Sequence, residues 1–113
     1  MSENIISFLD SKIERLEAFE DKFSIKIENI SFKQYDDGFE IFYELYPAEG
    51  NELDQDIDIN VVLYSLEGKI LDKKRTCVFV NTFFGFSVIS EYFSFDNPKD
   101  INKIGKIRVY PSL

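Results

Sequence analysis

Three observations predict a mainly β fold, an antiparallel β-sandwich of about six or seven strands with one N-terminal α-helix. Residues 57–71 alternate, with Ile57, Ile59, Val61 and Leu63 on one side and Asp58, Asn60, Val62 and Tyr64 on the other, and then turn at Leu66-Glu67-Gly68-Lys69. A slip of one residue would put the four aliphatic side chains into water, so this pattern fixes register and buried side together. The chain has 12 Phe, 6 Tyr and no Trp in 113 residues, and such rings suit a pleated, half-buried surface. Short apolar runs follow one another through turn residues with no helical pattern between them, which implies antiparallel pairing.

The first element, residues 1–21, reads as an amphipathic helix. Ile6, Leu9, Ile13 and Leu16 recur at helical spacing, while Lys12, Glu14, Arg15 and Glu17 take other faces. That stripe needs cover: it lies on the sheet of its own chain, or it pairs with a second copy as a helix-mediated homodimer. Residues 22–113 then form the sandwich as one unit, since the length supports a single core. Ile25 and Ile27 begin a strand that runs through Phe32. Tyr35-Asp36-Asp37-Gly38 is a turn in which Gly38 would supply a positive φ, and Phe39 to Leu45 returns antiparallel. Residues 47–56 make an acidic loop before the strand that starts at Ile57. After the Gly68 turn come Ile70-Leu71, a basic Lys73-Lys74-Arg75 patch, and Cys77 to Val80. Phe83 to Phe95 reads as an aromatic strand whose phase changes, with Phe84, Phe86 and Val88 on one face and Ile89, Phe93 and Phe95 on the other. Both faces are buried, or a bulge near Val88-Ile89 switches them. Asn97 to Asp100 turns into a last strand, Ile104 to Tyr110, with Ile107 and Val109 inward.

The charge balance, 13 basic against 21 acidic residues, gives a net of −8. Residues 1–60 hold 5 basic and 16 acidic groups, the remainder 8 and 5. Such a chain lacks the field that phosphate neutralisation needs, which speaks against a nucleic-acid partner; the acidity serves solubility, mimics nucleic acid or meets a basic protein partner. No apolar run reaches the length of a membrane helix, so no membrane partner is expected. Without histidine, Ser-His and Cys-His nucleophiles are unavailable and the usual zinc ligand is missing. The single thiol, Cys77, in an alternating strand, reads as a core or half-buried side chain rather than a reactive site helped by Lys74 and Arg75, and its lack of a disulfide partner points to the cytoplasm. The glycines are isolated and match no phosphate-binding spacing. No cofactor is implied.

Two constellations remain. Asp54, Asp56 and Asp58, with Glu49 and Glu52, could share one strand face and offer oxygen ligands to a cation, an alternative function for the 49–58 segment. Phe83, Phe84 and Phe86 include adjacent rings that a strand must point to opposite faces, so one is covered by another element or by a protein partner. With the stripe Ile6, Leu9, Ile13 and Leu16, these are the candidate partner-binding residues of a non-enzymatic interaction module, in its most specific form an acidic inhibitor or immunity-type protein.

The string Ile57 to Leu71, followed by Phe84-Gly85-Phe86-Ser87-Val88, resembles the central strands of immunoglobulin-like sandwich modules of the FxLYD kind, in which a Leu-Tyr-Asp-x-x-Gly turn precedes the next strand. Ser65 stands where that pattern has Asp. The resemblance implies an immunoglobulin-like, non-catalytic module and carries over no functional residues.

Overall fold

The computed structural model describes the backbone of residues 2–113 and the side chains of residues 5–113. Its elements are α1 (Ser2–Asp10), β1 (Ile13–Arg15), α2 (Glu17–Lys22), β2 (Ile25–Tyr35), β3 (Gly38–Pro47), β4 (Ile57–Ser65), β5 (Ile70–Val78), β6 (Ser87–Ser94), a 3-10 helix (Pro98–Lys103) and β7 (Ile104–Ser112). The strands form two sheets, ordered β1-β7-β4-β5 and β2-β3-β6. The fold is therefore mainly β with two sheets, as the alternation and the aromatic content predict.

One core joins the layers. Phe39, Ile41, Tyr43, Leu45 and Phe93 from one sheet meet Ile59, Val61, Leu63, Ile107 and Val109 from the other, all fully buried. Removing their apolar area from water supplies the main driving force for the fold. Phe39 stacks on Phe93 with ring centroids 5.5 Å apart.

The N-terminal region departs from the single helix expected over residues 1–21. Helix α1 stops at Asp10, where the Ser11 hydroxyl donates to the Phe8 carbonyl (2.6 Å) and Lys12 N closes a tight turn on Leu9 O (3.0 Å). Ile13–Arg15 then runs parallel to β7, with Ile13 opposite Ile107 and Ile107 N donating to Lys12 O (2.8 Å). The physical reason is competition: two turns of marginal helix weigh less than ladder bonds to the bare edge of a nine-residue strand. A second short helix, α2, follows and is fastened by Glu20. Its buried carboxylate accepts from Arg15 Nη2 (2.7 Å), Arg15 Nε (3.2 Å) and the backbone N–H of Ile27 (3.1 Å), which ties α2 to both β1 and β2.

Three further elements differ in detail from the sequence expectation. Gly38 does not sit at positive φ; it is required because a Cβ there would lie 1.9 Å from the Phe93 carbonyl oxygen, so β3 and β6 cross closely at that point. The basic patch lies inside β5, an edge strand that points Lys74 towards the Phe93 ring, 5.9 Å to its centroid. Strand β6 begins only at Ser87 and alternates cleanly, Ile89 and Phe93 inward, Val88 and Tyr92 outward, so its register with β3 needs no bulge. The bulge is in β2 instead, between Glu28 and Ser31, where Asn29 takes φ 53.

Candidate protein-contact face

The candidate partner residues separate. Phe83 is buried at 8% exposure, whereas Phe84 and Phe86 are 77% and 51% exposed. They precede β6 in a loop pinned by Gly85, whose φ is 79 and whose N–H donates to Asn51 O (2.9 Å). Leu9 is fully buried in the core of its own chain; Ile6, Ile13 and Leu16 are half-buried and lie on α1, on β1 and just before α2. They do not make one exposed helix face.

The acidic trio also separates. Asp56 accepts from Val80 N (2.8 Å), Asp58 pairs with Arg75 (3.6 Å), and Asp54 is exposed in the loop. Among the described residues, no group of three or more His, Cys, Asp or Glu is placed to hold a metal ion. The loop instead joins Phe84: Glu49, Asn51, Glu52, Asp54 and Phe84 line one open depression of about 460 Å³. Cys77 is exposed rather than core or half-buried, because it faces outward on the edge strand β5, and desolvation by its neighbours, then the hydrogen bond and charge of Asp58, push its thiol pKa up. A raised thiol is a poor nucleophile at neutral pH.

What the sequence did not single out is the outer face of β2-β3-β6, onto which Phe86 folds. Phe86 stacks on Tyr46, centroids 5.5 Å apart. From there the outward residues of β3 are Tyr46, Glu44, Phe42 and Glu40; Val88, Ser90 and Tyr92 lie opposite Glu44, Phe42 and Glu40 on β6. Tyr35 meets Tyr92 edge to face at 5.5 Å. Val88 is 61% exposed, and Tyr35 and Tyr92 are exposed beside it, so this face presents aromatic and aliphatic surface to solvent.

Its carboxylates are held by neutral donors. The Tyr35 hydroxyl donates to Glu40 (2.9 Å), the Tyr46 hydroxyl to Glu44 (3.2 Å), Asn29 Nδ2 also to Glu44, and the Tyr92 hydroxyl to Asp37. The Asp37 hydrogen bond, with desolvation and the Asp37 charge behind it, pushes the Tyr92 pKa up to about 12. Desolvation, then the Glu44 hydrogen bond, raises Tyr46 likewise. As hydrogen-bond donors, the phenols orient the carboxylates without neutralising them. Among the described residues, Asp37, Glu40 and Glu44 take part in no ion pair. Periodicity could place Phe42 and Tyr46 on one face, but only the pairing with β6 shows that Val88 and Tyr92 share it.

Among the described residues, no helix is long and apolar enough to cross a membrane. The chain matches no family model, and neither a curated protein nor a solved structure matches it.

Proposed function

We propose that this chain is a non-enzymatic, immunoglobulin-like protein-interaction module that meets its partner with Phe84, Phe86 and the adjoining outer face of β2-β3-β6, in a cytoplasmic setting consistent with its lone thiol. The observation that carries the reading is the run of surface rings, Phe84, Phe86, Tyr46, Tyr92 and Tyr35, bordered by carboxylates that take part in no ion pair among the described residues. Large amphipathic rings on a rigid sheet are the residues from which interface hot spots are made. A basic partner suits the net charge of −8, and occlusion of a basic protein by an acidic inhibitor or immunity-type protein is the most specific form of the idea.

Strand order supports the immunoglobulin-like part. Strands β2, β3 and β6 stand as A, B and E of that plan, and β5, β4 and β7 as C′, C and F. The edge beside F, where the plan has a last strand, is taken by β1 running parallel. At the Gly68 turn, the Ser65 hydroxyl accepts from Glu67 N (3.2 Å) and Lys69 N (3.1 Å), the role an Asp side chain plays in such turns.

The test is capture from a lysate of the source cells on immobilised chain, comparing wild type, a Phe84→Ala/Phe86→Ala double variant, and Leu66→Ala on the distant hairpin turn. A specific protein retained by wild type and Leu66→Ala but lost by the double variant is expected. No retained protein, or equal retention by all three, overturns the reading.

A further inference from the structure

Resting on the interaction reading above, we infer that the outer face of β2-β3-β6 recognises arginine, with a guanidinium of a basic protein segment laid on the Phe42 ring between Glu40 and Glu44. Phe42 is half-buried at the centre of the face, and its cross-strand neighbours are Ser31 on β2 and Ser90 on β6. These serines put only small side chains beside the ring. Glu40 and Glu44 lie two residues to either side along β3, about 7 Å from Phe42 at strand rise. A planar guanidinium stacked on that ring presents N–H edges in both directions, so it reaches a carboxylate at each end. An ammonium offers one point of charge and no plane, and engages the ring or one carboxylate less completely.

The carboxylates are ready for this. Glu40 and Glu44 are aimed by the hydroxyls of Tyr35 and Tyr46 and by Asn29, and a carboxylate has acceptor sites left after those bonds. One cation already lies on this face: Lys33, opposite Glu40 on β2, holds its Nζ 5.3 Å from the centroid of Tyr35 and makes no ion pair with Glu40, so that carboxylate keeps its charge. The other occupant to weigh is a second copy, presenting the basic outer face of β1-β7-β4-β5. There both arginines are engaged, Arg75 with Asp58 and Arg108, beside Lys106, with Glu14, and the exposed cation that takes part in no ion pair among the described residues is a lysine, Lys73 opposite Val62. Two copies would also bring together two chains of net charge −8. A separate arginine-bearing segment fits better on both counts.

The probe is hexaarginine, titrated into isotopically labelled full-length chain and followed by amide shifts, with hexalysine and neutral hexacitrulline as comparators. Saturable shifts centred on residues 40–46 and 88–92 are expected, several-fold tighter for hexaarginine than for hexalysine and absent for hexacitrulline. A Glu40→Gln/Glu44→Gln variant, checked for an unchanged melting temperature, weakens hexaarginine about tenfold. A Glu52→Gln/Asp54→Asn variant of the acidic loop stays within about twofold. Equal loss in both variants, shifts centred on residues 49–58, or equal affinity for hexalysine overturns the inference, because each marks unspecific charge attraction. Self-association in sedimentation that the Glu40→Gln/Glu44→Gln variant abolishes overturns it in favour of a second copy. If a captured protein depends on Phe84 and Phe86 but is indifferent to Glu40 and Glu44, arginine recognition fails while the interaction reading stands; if nothing is captured, it is that reading that fails.

Discussion

The outer faces of the two sheets handle their charges in opposite ways. On β1-β7-β4-β5, Glu14 receives Arg108 Nε at 2.7 Å and Lys106 Nζ at 3.5 Å, and Asp58 receives Arg75. Arg108 also lies over the Tyr64 ring, 5.1 Å from its centroid, and Asn60, although on this outer side, is 3% exposed and donates to Ser112 Oγ and Tyr110 O. That face engages both its arginines within the fold and leaves Lys73 exposed. On β2-β3-β6 the carboxylates are fixed by phenols and an amide, which orient them and leave the charge, while Val88 and Phe86 stay uncovered. Pairing a charge internally stabilises the monomer a little and removes a recognition element; hydrogen-bonding it to a neutral donor keeps it available. The contrast separates a face that pairs its charges within the fold from the face proposed to meet a partner.

The largest effect tests the paired side. Leu9 anchors α1 in the core and thereby holds β1 on the edge of β7. Leu9→Ala should cost about 2–5 kcal/mol in urea denaturation, the usual range for a fully buried leucine. A loss below about 1 kcal/mol would mean that the N-terminal segment is not part of the cooperative unit. Next, Gly38→Ala forces a methyl group against the Phe93 carbonyl and should destabilise by about 1–3 kcal/mol, since backbone there cannot yield as a side chain can. On the open side, Phe86→Ser should change stability by less than about 1 kcal/mol, because its ring is half in water already and contacts chiefly Tyr46. A cost as large as that of Leu9→Ala would turn the proposed contact face into part of the core and dissolve the contrast.

How much of this was legible in the sequence follows from what each element depends on. The β4 strand was plain, because Ile57, Ile59, Val61 and Leu63 all enter the core and its period is set locally. The return strand was less so: β5 carries Lys73, Lys74 and Arg75 in a row, which edge strands tolerate and central strands do not, and edge position is a tertiary fact. Residues 1–21 misled because Leu9, Ile13 and Leu16 have helical spacing yet serve a helix, a strand and a helix start in turn, a choice made by the unpaired edge of β7. The aromatic run showed a false phase change because Phe84 and Phe86 precede the strand rather than belong to it. The proposed contact face needed cross-strand register, which joins Glu44 to Val88 and Glu40 to Tyr92 across nearly half the chain. No local pattern encodes that.

Two titrations separate the faces by sign. Glu14 is held below the usual carboxylate range, first by its hydrogen bond from Arg108. Because its folded pKa is the lower one, its contribution is present above the ordinary carboxylate pKa and disappears as pH falls through the depressed value. The stability difference between wild type and Glu14→Gln should therefore be visible at neutral pH, shrink on acidification and shrink again in high salt. A difference that is constant from neutral to strongly acid pH would show that the pairing with Arg108 and Lys106 contributes nothing to folding.

The smallest effect belongs to the open face and runs the other way. Tyr92 is raised to about 12 by its hydrogen bond to Asp37, so the folded state holds that proton more tightly than the unfolded chain does. Its contribution is complete below the free phenol value near 10 and is lost as pH climbs to about 12. In ultraviolet titration of the tyrosines, Tyr92→Phe should delete a late-ionising phenol and leave the earlier ones in place. Asp37→Asn should instead bring that phenol back towards its ordinary value. If Tyr92→Phe removes an ordinary phenol, the Tyr92 hydroxyl does not hold Asp37, and the claim that neutral donors pre-orient the carboxylates of this face loses one of its three tyrosine pairs.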